Sequence, residues 1–193
     1  HKILAADTDR LPELRRILAV MESFFHGASS GVDPLICYLD HPVLLRPDGG
    51  IEPVSLPSLQ ANGLILFLLD SGRSRQPGPL VQYFKKSCEN PAFEQLVQGE
   101  LVYHSDAAIH AWLEGRPDDL RRHFFAVSAF QVERLAPMIP EELHQPWREG
   151  LTQGRFALKL CGAGGGGFFL GLAGDMPSAT ALLNAWKLQA PGF

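Results

Sequence analysis

The chain has 193 residues, 46% hydrophobic and 20% charged, with a net charge of −4 at pH 7. That length builds the core of one large domain or two small ones, and the acidic balance excludes the basic footprint of a nucleic-acid binder. No apolar run approaches the roughly 20 residues that cross a bilayer, and nothing resembles a signal peptide, so no membrane partner is expected. Three separated cysteines, Cys37, Cys88 and Cys161, read as reduced thiols of a cytoplasmic protein and not as a disulfide framework or metal site.

Leu11, Leu14, Leu18, Met21 and Phe25 recur at helical spacing, with Asp9 as a candidate cap, Pro12 in the first turn and Gly27 as the stop. After a turn over 28–34, Ser30 or Asp33 is placed to cap a short helix from Pro34 to Tyr38. Val43–Leu45 and Ile51–Val54, separated by Arg46-Pro47-Asp48-Gly49-Gly50, predict a β-hairpin. Leu64–Leu69 predicts a buried strand, and the breaker-rich stretch Ser71–Pro79 predicts a domain boundary or mobile loop. Helices are expected over Leu80–Ser87, Phe93–Glu114, Asp118–Ala136 and Glu141–Thr152. Strands are expected over Ala157–Leu160 and Phe168–Ala173, and a last helix over Pro177–Leu188. The class is α+β, with helices set apart from a mostly antiparallel sheet.

Between the last two strands lies Gly162-Ala163-Gly164-Gly165-Gly166-Gly167, with five glycines in six residues. Glycines between buried strands mark backbone that passes close to something or takes positive φ, in enzymes often at a phosphate. A tight bulge without ligand is the plainer alternative. The pattern E-x-x-x-H-G-x-x-S-G-x-D is met by Glu22, His26, Gly27, Ser30, Gly31 and Asp33. The pattern K-L-x-G-A-G-G-G-G is met by Lys159, Leu160 and residues 162–167. Both motifs, in this order, resemble the GHMP family of small-molecule kinases, and within it the mevalonate kinases. The resemblance spans essentially the whole chain, with the helical middle matching in outline.

The resemblance implies a two-lobed α+β fold: residues 1–74 as the remainder of a truncated first lobe, and 75–193 as a complete second lobe with an antiparallel sheet and helices. It implies ATP and Mg²⁺ as cofactors and a small-molecule hydroxyl as the phosphoryl acceptor. By that resemblance Asp33 is the base or hydroxyl-orienting group and Glu22 the magnesium ligand. His26, Ser30, Gly31, Arg75, Ala163 and Gly164 fall on the substrate side, and Gly162, Gly164, Gly165 and Gly166 near the nucleotide. Each has a plainer reading from the residue alone. Asp33 is an N-cap, Glu22 a solvent-facing helix residue, and His26 a capping or structural histidine. Ser30 and Gly31 set turn geometry, Arg73 and Arg75 are solvated loop charges, and Lys159 is a surface strand lysine. Ser128 and Gln131, three apart on one helix face, either reach a polar substrate or lie on a solvent face.

The family's P-x-x-x-G-L-G-S-S-A loop, whose backbone N–H groups hold ATP phosphates, has no counterpart upstream of Glu22 or elsewhere in the chain. Neither has the early lysine that pairs with the catalytic aspartate. The chain opens on His1, and the expectation is a late-entered piece of a kinase with little activity alone. It would associate as a homodimer or with the missing N-terminal lobe. Mevalonate is the favoured acceptor and a sugar the alternative. The competing class is a non-catalytic, kinase-derived binding or interaction module.

Overall fold

The computed structural model describes residues 10–27, 29–74 and 77–189. The chain forms two compact units that divide between Leu56 and Pro57.

In the first unit, helix α1 (Leu11–His26) carries Pro12 in its first turn and ends at Gly27, whose N–H bonds Ser23 O at 3.1 Å with φ 80°. Arg10 occupies the N-cap position without a side-chain bond; the expected cap, Asp9, lies outside the described residues. Helix α2 spans Val32–Leu39. Strands β1 (Val43–Leu45) and β2 (Ile51–Pro53) pair antiparallel as the hairpin the turn sequence predicts. Leu11, Leu35, Leu39 and Ile51 form the small core, with Leu14, Leu18 and Val43 against it. The apolar stripe of α1 does not stay buried throughout its length: Met21 is 60% and Phe25 76% exposed. With 8 residues against 16, α2 covers only part of α1.

The second unit is built on a three-stranded antiparallel sheet of order β3-β5-β4, comprising β3 (Ile65–Asp70), β4 (Phe156–Leu160) and β5 (Phe168–Ala173). β3 pairs with β5 from Ile65↔Ala173 to Asp70↔Phe168, so it lies in the second compact unit. It is also an edge strand, buried on one face only where its apolar run predicts a buried strand. Ile65, Phe67 and Leu69 turn to one core, while Leu66 and Leu68 are 38% and 56% exposed on the opposite face.

Around the sheet run α3 (Pro77–Cys88), α4 (Pro91–Leu96), a π-helical turn (Val97–Val102), α5 (Tyr103–Leu113), α6 (Pro117–Arg134), α7 (Glu141–Thr152) and α8 (Met176–Gln189). The alternation of the strands feeds two cores. Phe156, Leu158, Leu160 and Phe169 join Trp147 and Trp186 on one face. Ala157 and Leu172 join Ala111, Leu120 and Phe124 on the other.

The outer edge of β4 is closed by side chains of α6. Leu158 N–H donates to Ser128 Oγ at 3.1 Å, and Leu160 N–H donates to Gln131 Oε1 at 2.8 Å. Trp147 Nε1–H also donates to Ser128 Oγ, at 2.7 Å. Ser128 and Gln131 are therefore buried, at 0% and 6% exposure, and serve neither a substrate nor a solvent face. An edge strand's unpaired N–H groups need partners once a helix covers them, and these two residues supply the acceptors. No helix among the described residues is long and apolar enough to cross a membrane.

Candidate active site

The motif carboxylates lie where α1 turns into α2. Glu22 sits half-buried on the last turns of α1 and accepts a hydrogen bond at Oε2 from Ser29 Oγ. Ser29 also donates its N–H to Ser23 Oγ at 3.1 Å, and its Oγ accepts the Gly31 N–H at 3.0 Å. Ser29 thus ties the end of α1, the connecting loop and the start of α2 together while holding Glu22. Sequence reasoning passed over it; its place between Glu22 and Asp33, beside Ser30, was the only signal available.

Gly31 explains itself by close approach. It is the N-cap of α2 with φ 71°, and a Cβ there would sit 2.2 Å from Arg15 O. Neither Ser30 nor Asp33 caps α2 by side chain, because the left-handed Gly31 occupies the cap position. Ser30 is exposed and its Oγ accepts from Val32 N–H at 3.3 Å. Asp33 lies in the first turn of α2, exposed, with no hydrogen bond or ion pair among the described residues. Its carboxylate is open to a hydroxyl from solution and sits at the end of the helix where the backbone dipoles favour negative charge. His26 is the last residue of α1; its side chain, and Arg75 altogether, lie outside the described residues.

In the second unit the glycine loop links β4 to β5. Gly162, Gly164, Gly165 and Gly167 have φ of 74°, 74°, 77° and 68°, the left-handed region that favours glycine. The Gly165 N–H donates to Met138 O at 2.7 Å and the Gly167 N–H to Arg73 O at 2.9 Å. Ser71 N–H returns a bond to Gly167 O at 2.9 Å. A Cβ on Gly164 would stand 2.3 Å from Met138 O, and one on Gly166 would stand 2.8 Å from Arg73 O. The loop is therefore pinned between the 3-10 turn Ala136–Met138 and the segment after β3. The Gly165 amide, expected near the nucleotide, is spent on the protein's own backbone. Gly162 stays exposed and Ala163 half-buried at the tip of the turn. Arg73 is 54% exposed, a solvated charge that also pairs with Glu142 of α7 at the surface.

One ionisable cluster escaped sequence reasoning. His104 and His123, 19 residues apart on α5 and α6, bring their Nδ1 atoms to 2.8 Å. Arg122 donates to His123 Nε2 at 3.2 Å, which makes that nitrogen the acceptor. His123 Nδ1–H then donates to His104 Nδ1. Burial, followed by the charges of Arg122 and His104, holds His123 below the ordinary histidine range.

Among the described residues no group of three His, Cys, Asp or Glu side chains is assembled to hold a metal. Glu22 fits magnesium only as a single carboxylate ligand whose remaining positions come from phosphate and water, an arrangement usual for that ion.

No family model and no curated protein matches the chain. Among solved structures, the crystal structure of L. major mevalonate kinase in complex with R-mevalonate is similar, with a TM-score of 0.67 and 22% identity over 90% of this chain. The match takes in 52% of that protein, so the chain spans about half the length of its structural neighbour. The chain thus has, over that half, the mixed helical and antiparallel-sheet fold of a mevalonate kinase.

Proposed function

We propose that this chain is part of an ATP-dependent small-molecule kinase of the GHMP type, with mevalonate as its acceptor. The observation that carries the reading is the fold shared with a mevalonate kinase across 90% of the chain. Both family motifs fall in structured corners of that fold. Phosphoryl transfer asks a protein mainly for positioning and charge neutralisation, with little covalent chemistry of its own.

In this reading Asp33, exposed at the start of α2, accepts a hydrogen bond from the acceptor hydroxyl and orients its oxygen. Ser29 holds Glu22 through Oε2, which leaves Oε1 without a hydrogen bond to the described residues. Magnesium, when bound, neutralises charge on the ATP phosphates, and Glu22 is the residue that would hold it. Ala163 and Gly162, at the tip of the β4–β5 turn, are the loop residues left to approach a ligand. Gly165 and Gly167 hold the loop's shape. The chain carries no P-x-x-x-G-L-G-S-S-A sequence, so binding of the acceptor and turnover separate.

Calorimetric titration of R-mevalonate, galactose and homoserine into the chain, with ADP release from Mg-ATP followed in parallel, tests the reading. The expected result is saturable binding of R-mevalonate, lost in Asp33→Ala, with ADP release at background. No binding of any acceptor by the folded chain overturns the reading. Turnover abolished in Asp33→Ala would keep the kinase and overturn the need for the phosphate loop.

A further inference from the structure

Between the buried Val97 and the buried Ala108, the chain runs through the π-helical turn and the first turns of α5 without one buried residue. Leu101 rests partly buried against the main core, and nothing lies within 4 Å of where a Cβ on Gly99 would stand. Single π-helical turns of this kind are rare and recur at places that move or act. Little apolar contact holds residues 98–107, so their opening is the inexpensive one in this part of the fold. Past them α5 is fixed. Ala108 and Ala111 pack in the core beside Leu120 and Phe124, and Trp112 Nε1–H donates to Pro57 O at 3.2 Å.

His104 lies within this thinly held stretch. Among the described residues its bond to His123 is the one side-chain hydrogen bond between α5 and α6. Tyr103 sets its ring edge-on to both imidazoles, with centroids 5.0 Å from His104 and 6.0 Å from His123. The arrangement suits one protonation pattern only. His123 donates its Nδ1–H to His104 Nδ1 and accepts Arg122 at its bare Nε2. A further proton on His104 Nδ1 sets N–H against N–H, and one on His123 Nε2 expels Arg122. The charged groups that act on His123 are Arg122 and Asp119 of α6, Arg116 at the N-cap of α6, and His104 of α5. Among the described residues β4, α7 and the π-helical turn, also packed on α6, bring none. Asp119 is the one carboxylate in that set, and it is already paired with both arginines. No spare negative charge is at hand to welcome a proton.

We infer that the His104–His123 pair is a proton-sensitive latch: unprotonated it holds residues 98–107 against α6, and proton uptake releases that segment while the sheet stays folded. Once freed, each ring regains the ordinary histidine pKa of about 6.5, so opening gains as pH falls below that value. For one ring that titrates only when open, the opening equilibrium rises about tenfold between pH 7.5 and 5.5. The latch lies in the second unit and does not depend on the kinase reading.

Amide hydrogen exchange of the full chain at pH 7.5 and 5.5, corrected for the intrinsic pH dependence of exchange, tests it. Protection over 98–107 should fall about tenfold on acidification and stay at least about tenfold below that of β4 and β5 at both pH values. His123→Gln keeps an N–H donor for His104 without a titrating ring, and there the fall should shrink to about twofold or less. A second reading needs no variant: imidazole ¹⁵N shifts of the parent at pH 7.5 should show His123 protonated at Nδ1 and bare at Nε2. Protection over 98–107 that does not change with pH overturns the inference, as does an undiminished fall in a folded His123→Gln chain. Protection equal to that of β4 and β5 overturns it too, because only global opening would then be at work. So does a His123 protonated at Nε2.

Discussion

Replacing Ser128 with alanine should be among the most damaging single-atom changes in the second unit. The hydroxyl is fully buried and accepts from two donors, Trp147 Nε1–H at 2.7 Å and Leu158 N–H at 3.1 Å. Alanine leaves both donors inside the protein without a partner. A buried unsatisfied donor costs about 1–3 kcal/mol, so the pair should cost about 2–4 kcal/mol after partial relaxation. Against a total of roughly 5–15 kcal/mol that is a large fraction. For a unit of this size it corresponds to a fall in thermal midpoint of about 8–15 °C. Urea and thermal unfolding followed by tryptophan fluorescence measure it directly. A double-mutant cycle with Trp147→Phe isolates the pair, because with one donor gone the serine substitution should cost about half as much. A midpoint within about 2 °C of the parent would refute the reasoning. So would an equal loss in both backgrounds, which would mean that the hydroxyl and the indole do not act on each other.

Gly164→Ala should destabilise more than Gly167→Ala. Both impose a left-handed backbone on a side chain, costing about 1–2 kcal/mol, but only the Gly164 Cβ meets an obstacle, Met138 O at 2.3 Å, whereas nothing lies within 4 Å at Gly167. Urea midpoints rank the two, and a reversed order would contradict the packing described. Gly31→Ala should loosen the α1–α2 corner, because its Cβ would stand 2.2 Å from Arg15 O; proteolysis between residues 27 and 31 should quicken. Stability should fall on acidification through His123. Below pH about 6.5 the unfolded chain takes up a proton that the buried ring resists, so unfolding gains as pH falls from that value toward the depressed folded pKa. Urea midpoints at pH 7.5 and 5.5 should differ less in His123→Gln than in the parent, and an unchanged difference would remove His123 from the account.

Much of this architecture is readable from periodicity and breakers. Glu141–Thr152 and Phe168–Ala173 are bounded by their own sequence signals, Pro140 before the helix and Gly167 and Gly174 around the strand. Pairing partners are not readable that way. Leu64–Leu69 looks like a buried strand because its run is apolar throughout, yet β3 is an edge whose outward leucines face a partly open sheet face. The place of the unit boundary follows from the same pairing, since the β3–β5 register, with the Trp186 Nε1–H bond to Asp70 O, ties residues 65–70 to the chain a hundred residues later. Ser128 and Gln131 show the same limit from the polar side: three-residue spacing puts them on one face, but only the position of β4 decides that the face is buried. At the motif corner the sequence picked out Glu22 and Asp33 and missed Ser29, because a serine that orients a carboxylate across seven residues leaves no periodic trace.

The most direct test of the central claim is to map R-mevalonate on the chain by backbone amide shifts. The account predicts saturable shifts in the turn from Ser29 to Asp33, absent in Asp33→Ala. Spectra unchanged by R-mevalonate, or shifts unaffected by the loss of Asp33, would contradict it.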